Sequence, residues 1–165
     1  MIEERFENCM LNLCRQLVAC PAIWAFTGSL SMVLQGMTLP IHDIDIQTTR
    51  EGAWWIDEKL AYYCVQAVYW WESPMMKSWF GNYSMDDIRV EIMGDIMKSD
   101  KQGDFYPTPP LDTLVKFVEN GTIRIPVMNL AYEERAYRQM GRIEKADKIA
   151  TFLHGKENDL LGEKI

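Results

Sequence analysis

The chain has 165 residues, of which 48% are hydrophobic and 25% are charged, with a formal net charge of −7 at pH 7. This length is enough for one domain with a buried core. The negative charge argues against a broad DNA- or RNA-binding surface, which needs clustered Lys and Arg to neutralise phosphates. It does not exclude a single nucleotide bound through a metal ion, because the cation cancels charge locally.

The four cysteines (Cys9, Cys14, Cys20 and Cys64) form no Cys-x-x-Cys pair, and only two histidines could join them. A zinc site is therefore not expected. The first residues are acidic rather than apolar and no apolar run reaches ~18 residues, so we expect neither a secretory leader nor a membrane span. Free thiols suit a reducing compartment, which indicates the cytoplasm.

The N-terminal half alternates helix-like and strand-like segments. Apolar residues at three- and four-residue spacing predict a helix over 3–19, and Pro21 ends it. An apolar run over 23–27 predicts a buried strand, Gly28 breaks it, and Ser29 is expected to cap a helix that ends at Gly36. The next strand is predicted over 43–48, and a helix over 51–63.

Three strands rich in aromatic and β-branched residues follow, predicted over 65–71, 76–83 and 88–93. Residues 111–127 fit either a hairpin around Asn120-Gly121 or a helix closed by the same pair, and we favour the hairpin. Two helices are predicted over 129–140 and 142–153, before a charged, frayed end. The pattern predicts an α+β fold: a single domain over 1–155 with a mixed β-sheet and flanking helices, then a charged C-terminal tail over 156–165.

Two carboxylates lie one residue apart in the second predicted strand, at Asp43 and Asp45. Side chains alternate along a strand, so both face the same way, with Cα atoms roughly 6.6 Å apart. Such a pair can converge on a hard cation such as Mg²⁺, which prefers oxygen ligands. Ile44 and Ile46 would then point into the core. The alternative is an exposed strand with two ordinary surface acids.

Gly28-Ser29 precedes this pair, at the turn between a strand and a helix. Glycine lets a phosphate approach the backbone, and a helix N-terminus offers free N–H donors, so we expect these residues to bind a nucleotide. Glu91 is a third acid, flanked by Val90 and Ile92 in an apolar strand. We expect it to act as a general base or a further metal ligand. Asp95 competes for this role, but Gly94 is expected to end the strand before it.

Phe26-Thr27-Gly28-Ser29, then Asp43-Ile44-Asp45, then Glu91 resemble the motif of the nucleotidyltransferase superfamily that shares the DNA polymerase beta-like fold. The C-terminal part, with Gly141-Arg142 and Lys145, resembles small stand-alone bacterial members. These include antibiotic adenylyltransferases and antitoxin-type minimal nucleotidyltransferases. The resemblance covers roughly residues 20–150 in element order.

The resemblance implies Mg²⁺-dependent (or Mn²⁺-dependent) transfer of a nucleoside monophosphate, from a triphosphate such as ATP, to a hydroxyl of a small molecule or protein. By this resemblance Asp43 and Asp45 hold the metal, Gly28 and Ser29 bind the phosphates, and Glu91 activates the acceptor. Basic groups for the pyrophosphate would come from the terminal helices; the candidates are Arg135, Arg138, Arg142 and Lys145. A homodimer is compatible with the resemblance, whereas a membrane or nucleic-acid partner is not expected.

Two other functions remain open at this point. The fold could serve as a non-catalytic partner-binding module of a toxin–antitoxin system, or as a resistance factor that adenylylates an aminoglycoside or lincosamide. The aromatic residues could line an acceptor pocket, although strand alternation places about half of them in the core and core packing is the favoured interpretation. They are Trp54, Trp55, Tyr69, Trp70, Trp71, Trp79 and Phe80. His42 is expected to be structural or incidental.

Overall fold

The computed structural model describes residues 2–162 as five α-helices and eight β-strands. The helices are α1 (Glu4–Leu17), α2 (Gly28–Leu34), α3 (Arg50–Lys59), α4 (Leu130–Gln139) and α5 (Ile143–Gly162). The strands are β1 (Trp24–Thr27), β2 (Ile44–Thr48), β3 (Cys64–Glu72), β4 (Met76–Met85), β5 (Ile88–Ser99), β6 (Phe105–Pro107), β7 (Val115–Asn120) and β8 (Ile123–Met128).

All of these strands belong to one mixed sheet, in the order β3-β4-β5-β2-β1-β8-β7, with β6 paired to β5. The central pairs β2–β5 and β1–β8 are parallel, whereas β1–β2, β4–β5 and β7–β8 are antiparallel. The expected α+β fold with a mixed sheet and flanking helices is therefore confirmed. The hairpin around Asn120-Gly121 is also confirmed, because β7 and β8 pair across it.

One face of the sheet packs against α1 and α3. Helix α1 buries an apolar stripe that includes Phe6, Leu13 and Leu17, and it meets Ile44 and Ile46 of β2 in the main core. Helix α4 covers part of the opposite face, where Tyr132 and other residues pack in a smaller cluster. The side chains of β2 that do not enter the main core therefore face the α4 side, and Asp45 is one of them.

Three element boundaries differ from the sequence expectation. Helix α2 begins at Gly28 rather than after a Ser29 cap, and Thr27 occupies the N-cap position without a side-chain capping bond. Helix α3 ends at Lys59 and a short 3₁₀ turn follows. Helix α5 extends through Gly162, well into the segment expected to be a frayed tail; residues 163–165 of that expected tail lie outside the described residues.

Strand β5 continues six residues beyond its predicted end at Met93. Gly94 was expected to end it, but this glycine serves close packing instead. A Cβ at Gly94 would lie only 2.8 Å from the carbonyl oxygen of Thr49, just before α3. The strand therefore passes under the start of the helix, and only glycine leaves room for that approach.

The aromatic residues follow the core expectation only in part: none of the seven is fully buried, and Trp55 and Trp79 are half-buried against the main core. Trp54, Tyr69 and Trp70 are 42%, 41% and 38% exposed. Tyr69 and Trp70 are exposed because β3 lies at the edge of the sheet, where Val68 is its one buried residue, whereas Trp54 is on α3. No helix in the described part of the chain is both long and apolar enough to cross a membrane.

Candidate active site

Two adjacent strands, β2 and β5, bring three sequence-predicted acids together. Asp45 of β2 lies opposite Glu91 of β5 in the parallel pair, and Thr27 of β1 lies opposite Asp45 on the other side. Asp43 precedes β2 by one residue and shares the face of Asp45. Carboxylate oxygens of Asp43, Asp45 and Glu91 all lie within 4.8 Å of one another. This grouping is compatible with a shared cation.

The electrostatics of this group also suit a cation. Burial, together with the charges of Asp43, Glu91 and Glu133, raises the pKa of Asp45 to about 7. Burial likewise raises the pKa of Glu91, while Arg89 partly offsets the rise. Clustered oxygen ligands with mutual repulsion fit a hard divalent cation such as Mg²⁺, which would neutralise them.

Arg89 is a residue of this site that the sequence analysis missed. Its guanidinium donates a hydrogen bond of 2.6 Å to Asp43 and forms an ion pair of 3.4 Å with Glu91. Arg89 and Glu91 are two positions apart on one strand, so they share a face. The spacing of Arg89 and Glu91 could have identified Arg89 from the sequence, because a cation on the same face as the acids reduces the repulsion among them.

Gly28 lies against Asp45 at the start of α2. Its backbone φ is +66°, a region that side-chain-bearing residues rarely adopt. A Cβ at this position would lie 2.6 Å from Oδ2 of Asp45, which is inside van der Waals contact. Ser29 follows in the first turn of α2 and lines the cavity that also contains the three acids. Glycine is therefore required here both for the turn and for the approach to the carboxylate.

Glu133 of α4 holds this turn from the opposite side. It is 1% exposed, and its Oε1 accepts hydrogen bonds from the Thr27 hydroxyl at 2.5 Å and from the Gly28 N–H at 3.0 Å. The two hydrogen bonds stabilise the buried Glu133 carboxylate, because burying a carboxylate without hydrogen-bond donors costs free energy. No sequence pattern indicated this contact, because Glu133 is more than 100 residues from the turn.

Two of the four basic candidates line the cavity beside the acids, which has a volume of about 310 Å³. They are Lys145, which lies 4.4 Å from the ring centre of Tyr137, and Arg142. Burial lowers the pKa of Lys145, although Glu133 and Asp45 counteract this. Arg138 instead pairs with Glu134 and Asp147 on the surface. Arg135 is exposed and does not line this cavity.

Two larger cavities adjoin this one. A cavity of about 470 Å³ shares Gln47 and Ile96 with it and is lined by Trp70, Trp79 and Asp95, among others. A second, lined by His42, shares Ser29, Arg142 and Lys145 with it. Asp95 thus lies beside the neighbouring cavity rather than with the three acids.

The raised pKa of Asp45 predicts a pH-dependent stability. A folded-state pKa near 7, above the ordinary value of 3.8, means that the folded chain binds this proton more tightly than the unfolded chain. The resulting stability is present below pH 4 and is lost as pH rises to about 7, by up to about 1.4 kcal/mol per pH unit. Urea unfolding at pH 5 and pH 7.5 in EDTA measures this loss.

The Asp45→Asn variant is the matched control, since it removes this titrating group and keeps the shape of the side chain. Its stability should change less between the two pH values than that of the wild type. A loss equal to that of the wild type would contradict the assignment of the proton to Asp45. Mg²⁺ should reduce the wild-type loss by favouring the ionised carboxylates.

Comparison with known proteins agrees with this geometry. The model of the aminoglycoside-2''-adenylyltransferase family matches residues 10–151. The solved structure of TM1012 from Thermotoga maritima, a protein assigned to the nucleotidyltransferases, is 36% identical in sequence with a TM-score of 0.81. That alignment covers 94% of this chain and 96% of the other.

A second solved structure shows a likeness in fold. The lincosamide antibiotic adenylyltransferase LnuA, solved with lincomycin bound, aligns over 90% of this chain and 98% of its own, with 14% identity and a TM-score of 0.52. No curated protein has a matching sequence. The family match spans most of the chain, and the relative that resembles it over nearly its whole length has the same architecture. The chain is therefore a small nucleotidyltransferase-type protein and belongs to the aminoglycoside-2''-adenylyltransferase family.

Proposed function

We propose that this protein is a Mg²⁺-dependent enzyme that transfers AMP from ATP to a hydroxyl of a small molecule or protein, with release of pyrophosphate. The observation that carries the proposal is the group of three carboxylates with oxygens within 4.8 Å, beside the glycine turn of α2. Membership of an adenylyltransferase family supports nucleotidyl transfer in general.

The donor half of the reaction lies between β2 and the terminal helices. Asp43 and Asp45 would hold the metal, and the bound metal would offset charge on the phosphate oxygens. Gly28 and Ser29 line this cavity and would lie against the phosphates, although the Gly28 N–H is already bonded to Glu133. Lys145 of α5 and Arg142, which directly precedes α5, line this cavity and would bind the pyrophosphate portion.

Glu91 would act as the general base for the acceptor. The acceptor oxygen attacks the α-phosphorus, the bond from that phosphorus to the bridging oxygen of the β-phosphate breaks, and pyrophosphate leaves with that oxygen. The hydroxyl proton passes to the Glu91 carboxylate. Burial raises the pKa of Glu91, which brings it closer to that required for proton transfer near neutral pH. Arg89, bonded to both Asp43 and Glu91, would orient this carboxylate.

Two of the earlier alternatives bear on this proposal: adenylylation of an antibiotic and a non-catalytic partner-binding module. The family name and the lincosamide-bound relative favour a resistance-type adenylylation of an antibiotic hydroxyl. The non-catalytic partner-binding module is not favoured, because all three acids stand together in one cavity that three cationic side chains also line.

The test uses ATP labelled at the α-phosphate together with pyrophosphate detection. The purified protein is incubated with Mg²⁺ and a panel of hydroxyl compounds that includes lincomycin, aminoglycosides, simple hydroxy acids and serine-containing peptides. Label transfer with one pyrophosphate released per transfer, both abolished by EDTA, is the expected result. Absence of pyrophosphate release with every acceptor, and absence of Mg²⁺-dependent ATP binding, would overturn the proposal.

A further inference from the structure

The outer part of the sheet carries three neighbouring aromatic side chains that have no role in the proposed reaction. They are Tyr69 and Trp71 of β3 and Phe80 of β4, and we call them the aromatic row. The ring centre of Phe80 lies 6.4 Å from that of Tyr69 and 5.6 Å from that of Trp71. Tyr69 is 41% exposed, and the other two are half-buried. A contiguous exposed aromatic surface is typical of a binding site.

Strand pairing places the aromatic row on the face of the sheet that carries Glu91. Asn82 of β4 lies directly opposite Glu91. Phe80 lies directly opposite Met93, which lines the cavity of the acids, and Tyr69 lies opposite Phe80 on its other side. Residues opposite each other in antiparallel strands point to the same face, and so do residues two positions apart in one strand. The aromatic row therefore extends the surface of the acid cavity outward from Glu91, across β4 and β3.

The order of the strands separates the aromatic row from the donor half of the site. Glu91 is on β5, which lies between β4 and β2. Gly28 and Ser29 begin α2 directly after β1, which lies beyond β2, and Ser29 lines the acid cavity together with Arg142 and Lys145. No residue of the aromatic row lines that cavity. In-line displacement places the attacking oxygen and the leaving pyrophosphate on opposite sides of the α-phosphorus, so the β4 side of Glu91 is the side from which the acceptor would approach.

Two buried polar atoms on this face have no hydrogen-bond partner in the described part of the chain. They are Oγ of Ser78 and Oδ1 of Asn82. Ser78 lies opposite Trp71, and Asn82 lies opposite Glu91, so the two residues flank Phe80 along β4. A buried polar atom without a partner costs free energy. Asn82 as a whole is only half-buried, so rotation of its amide would bring Oδ1 to the exposed side, where a ligand group next to the reacting hydroxyl could donate to it.

We propose that the aromatic row and Asn82 bind the acceptor, and that the acceptor carries a ring whose apolar face stacks on the row while its reacting hydroxyl lies at Glu91. The proposal rests on the nucleotidyl transfer proposed above and assigns the position and shape of its second substrate. Aromatic side chains offer flat apolar contact area and attract cations over their faces, so the row suits a neutral ring and a ring with ammonium groups. A serine-containing peptide has no ring next to its hydroxyl, and we expect it to be a poor acceptor.

Binding of ring compounds to the aromatic row can be followed by ¹⁹F NMR of protein labelled with 5-fluorotryptophan, in the absence of ATP. Lincomycin and kanamycin are the ring probes, and sorbitol is the comparison because it offers hydroxyls without a ring. The Trp71→Leu and Trp70→Leu variants identify the two resonances. At least one ring probe should shift the Trp71 resonance saturably, whereas sorbitol should not. The Trp70 resonance should stay in place, because this residue points to the other face of β3.

Kinetics of the variants test the same surface. Trp71→Leu should raise the KM for the acceptor by about fivefold, as expected for the loss of an aromatic contact, and leave the KM for ATP unchanged. Trp70→Leu makes the same substitution on the other face of β3 and should change neither constant. Asn82→Leu should also raise the KM for the acceptor without lowering the stability in urea, because Oδ1 has no hydrogen bond to lose. Asn82→Leu therefore tests the surface even if Trp71→Leu folds poorly.

Three results would overturn the assignment of this surface. The first is no saturable shift of the Trp71 resonance with either ring probe. The second is a shift of Trp70 in place of Trp71, which would locate the acceptor in the cavity of about 470 Å³ that Trp70 lines. The third is a smaller mass in solution for Trp71→Leu than for the wild type, which would make the aromatic row a contact between two copies of the chain. Failure of the proposed function gives a different pattern, in which no acceptor releases pyrophosphate while a ring probe still shifts the Trp71 resonance.

Discussion

Replacing Gly28 with alanine is expected to lower nucleotidyl transfer by at least about 100-fold, since a displacement of about 1 Å at a reacting group can cost that much. The new Cβ would lie 2.6 Å from Oδ2 of Asp45, so the carboxylate must move away from its position beside Asp43 and Glu91. The φ of +66° adds strain of about 1–2 kcal/mol for any residue with a Cβ. Steady-state kinetics and urea unfolding measure the two effects separately.

Gly121→Ala is the matched control for backbone strain. Gly121 has a φ of +62°, close to that of Gly28, but nothing lies within 4 Å of a Cβ built there. It should lose a similar amount of stability and keep full activity. If Gly121→Ala lost activity as severely as Gly28→Ala, the contact with Asp45 would not be the cause.

Replacing Glu91 with glutamine is expected to reduce the rate constant of transfer by about 10²–10⁴-fold, the usual contribution of a general base. The amide cannot accept the acceptor proton, although it keeps the size of the side chain beside Asp45. Affinity for Mg²⁺ and ATP should change little. Single-turnover transfer and direct nucleotide titration distinguish the two effects.

The control is Glu58→Gln, which neutralises an exposed acid of α3 away from the cavity. Its transfer rate should equal that of the wild type. A Glu91→Gln variant that loses Mg²⁺-dependent ATP binding as well as transfer would contradict the role of base. It would favour Glu91 as a metal ligand, which was the alternative in the sequence analysis.

Local chemistry explains why much of the fold could be predicted. The turn at Asn120-Gly121 and the strand before Gly28 follow from short-range preferences of glycine and asparagine. The alternation around Asp43 and Asp45 predicted that Ile44 and Ile46 face the core while the acids face away, and the burial of both isoleucines agrees. The family resemblance then supplied the order of the elements around this motif.

The remainder depended on contacts between distant segments. The hydrogen bond from the Gly28 N–H to Glu133 spans 105 positions, and the irregular pairing between β4 and β5 depends on the whole hairpin. Gly94 looked like a strand end because sequence alone does not show that α3 begins against it. The exposure of Tyr69 and Trp70 could not be predicted, because it follows from the edge position of β3, which is a property of the whole sheet.

The central claim is that Asp43 and Asp45 hold a metal that binds ATP. The most direct measurement is ATP affinity with and without Mg²⁺, by calorimetric titration, in the wild type and in an Asp43→Asn plus Asp45→Asn double variant. A second double variant, Asp86→Asn plus Asp87→Asn, makes the same charge change at two exposed turn residues whose positive φ suits asparagine. We expect Mg²⁺ to strengthen ATP binding in the wild type and in this control, and to have no effect in the Asp43 and Asp45 variant. The same Mg²⁺ dependence in all three proteins would contradict the assignment.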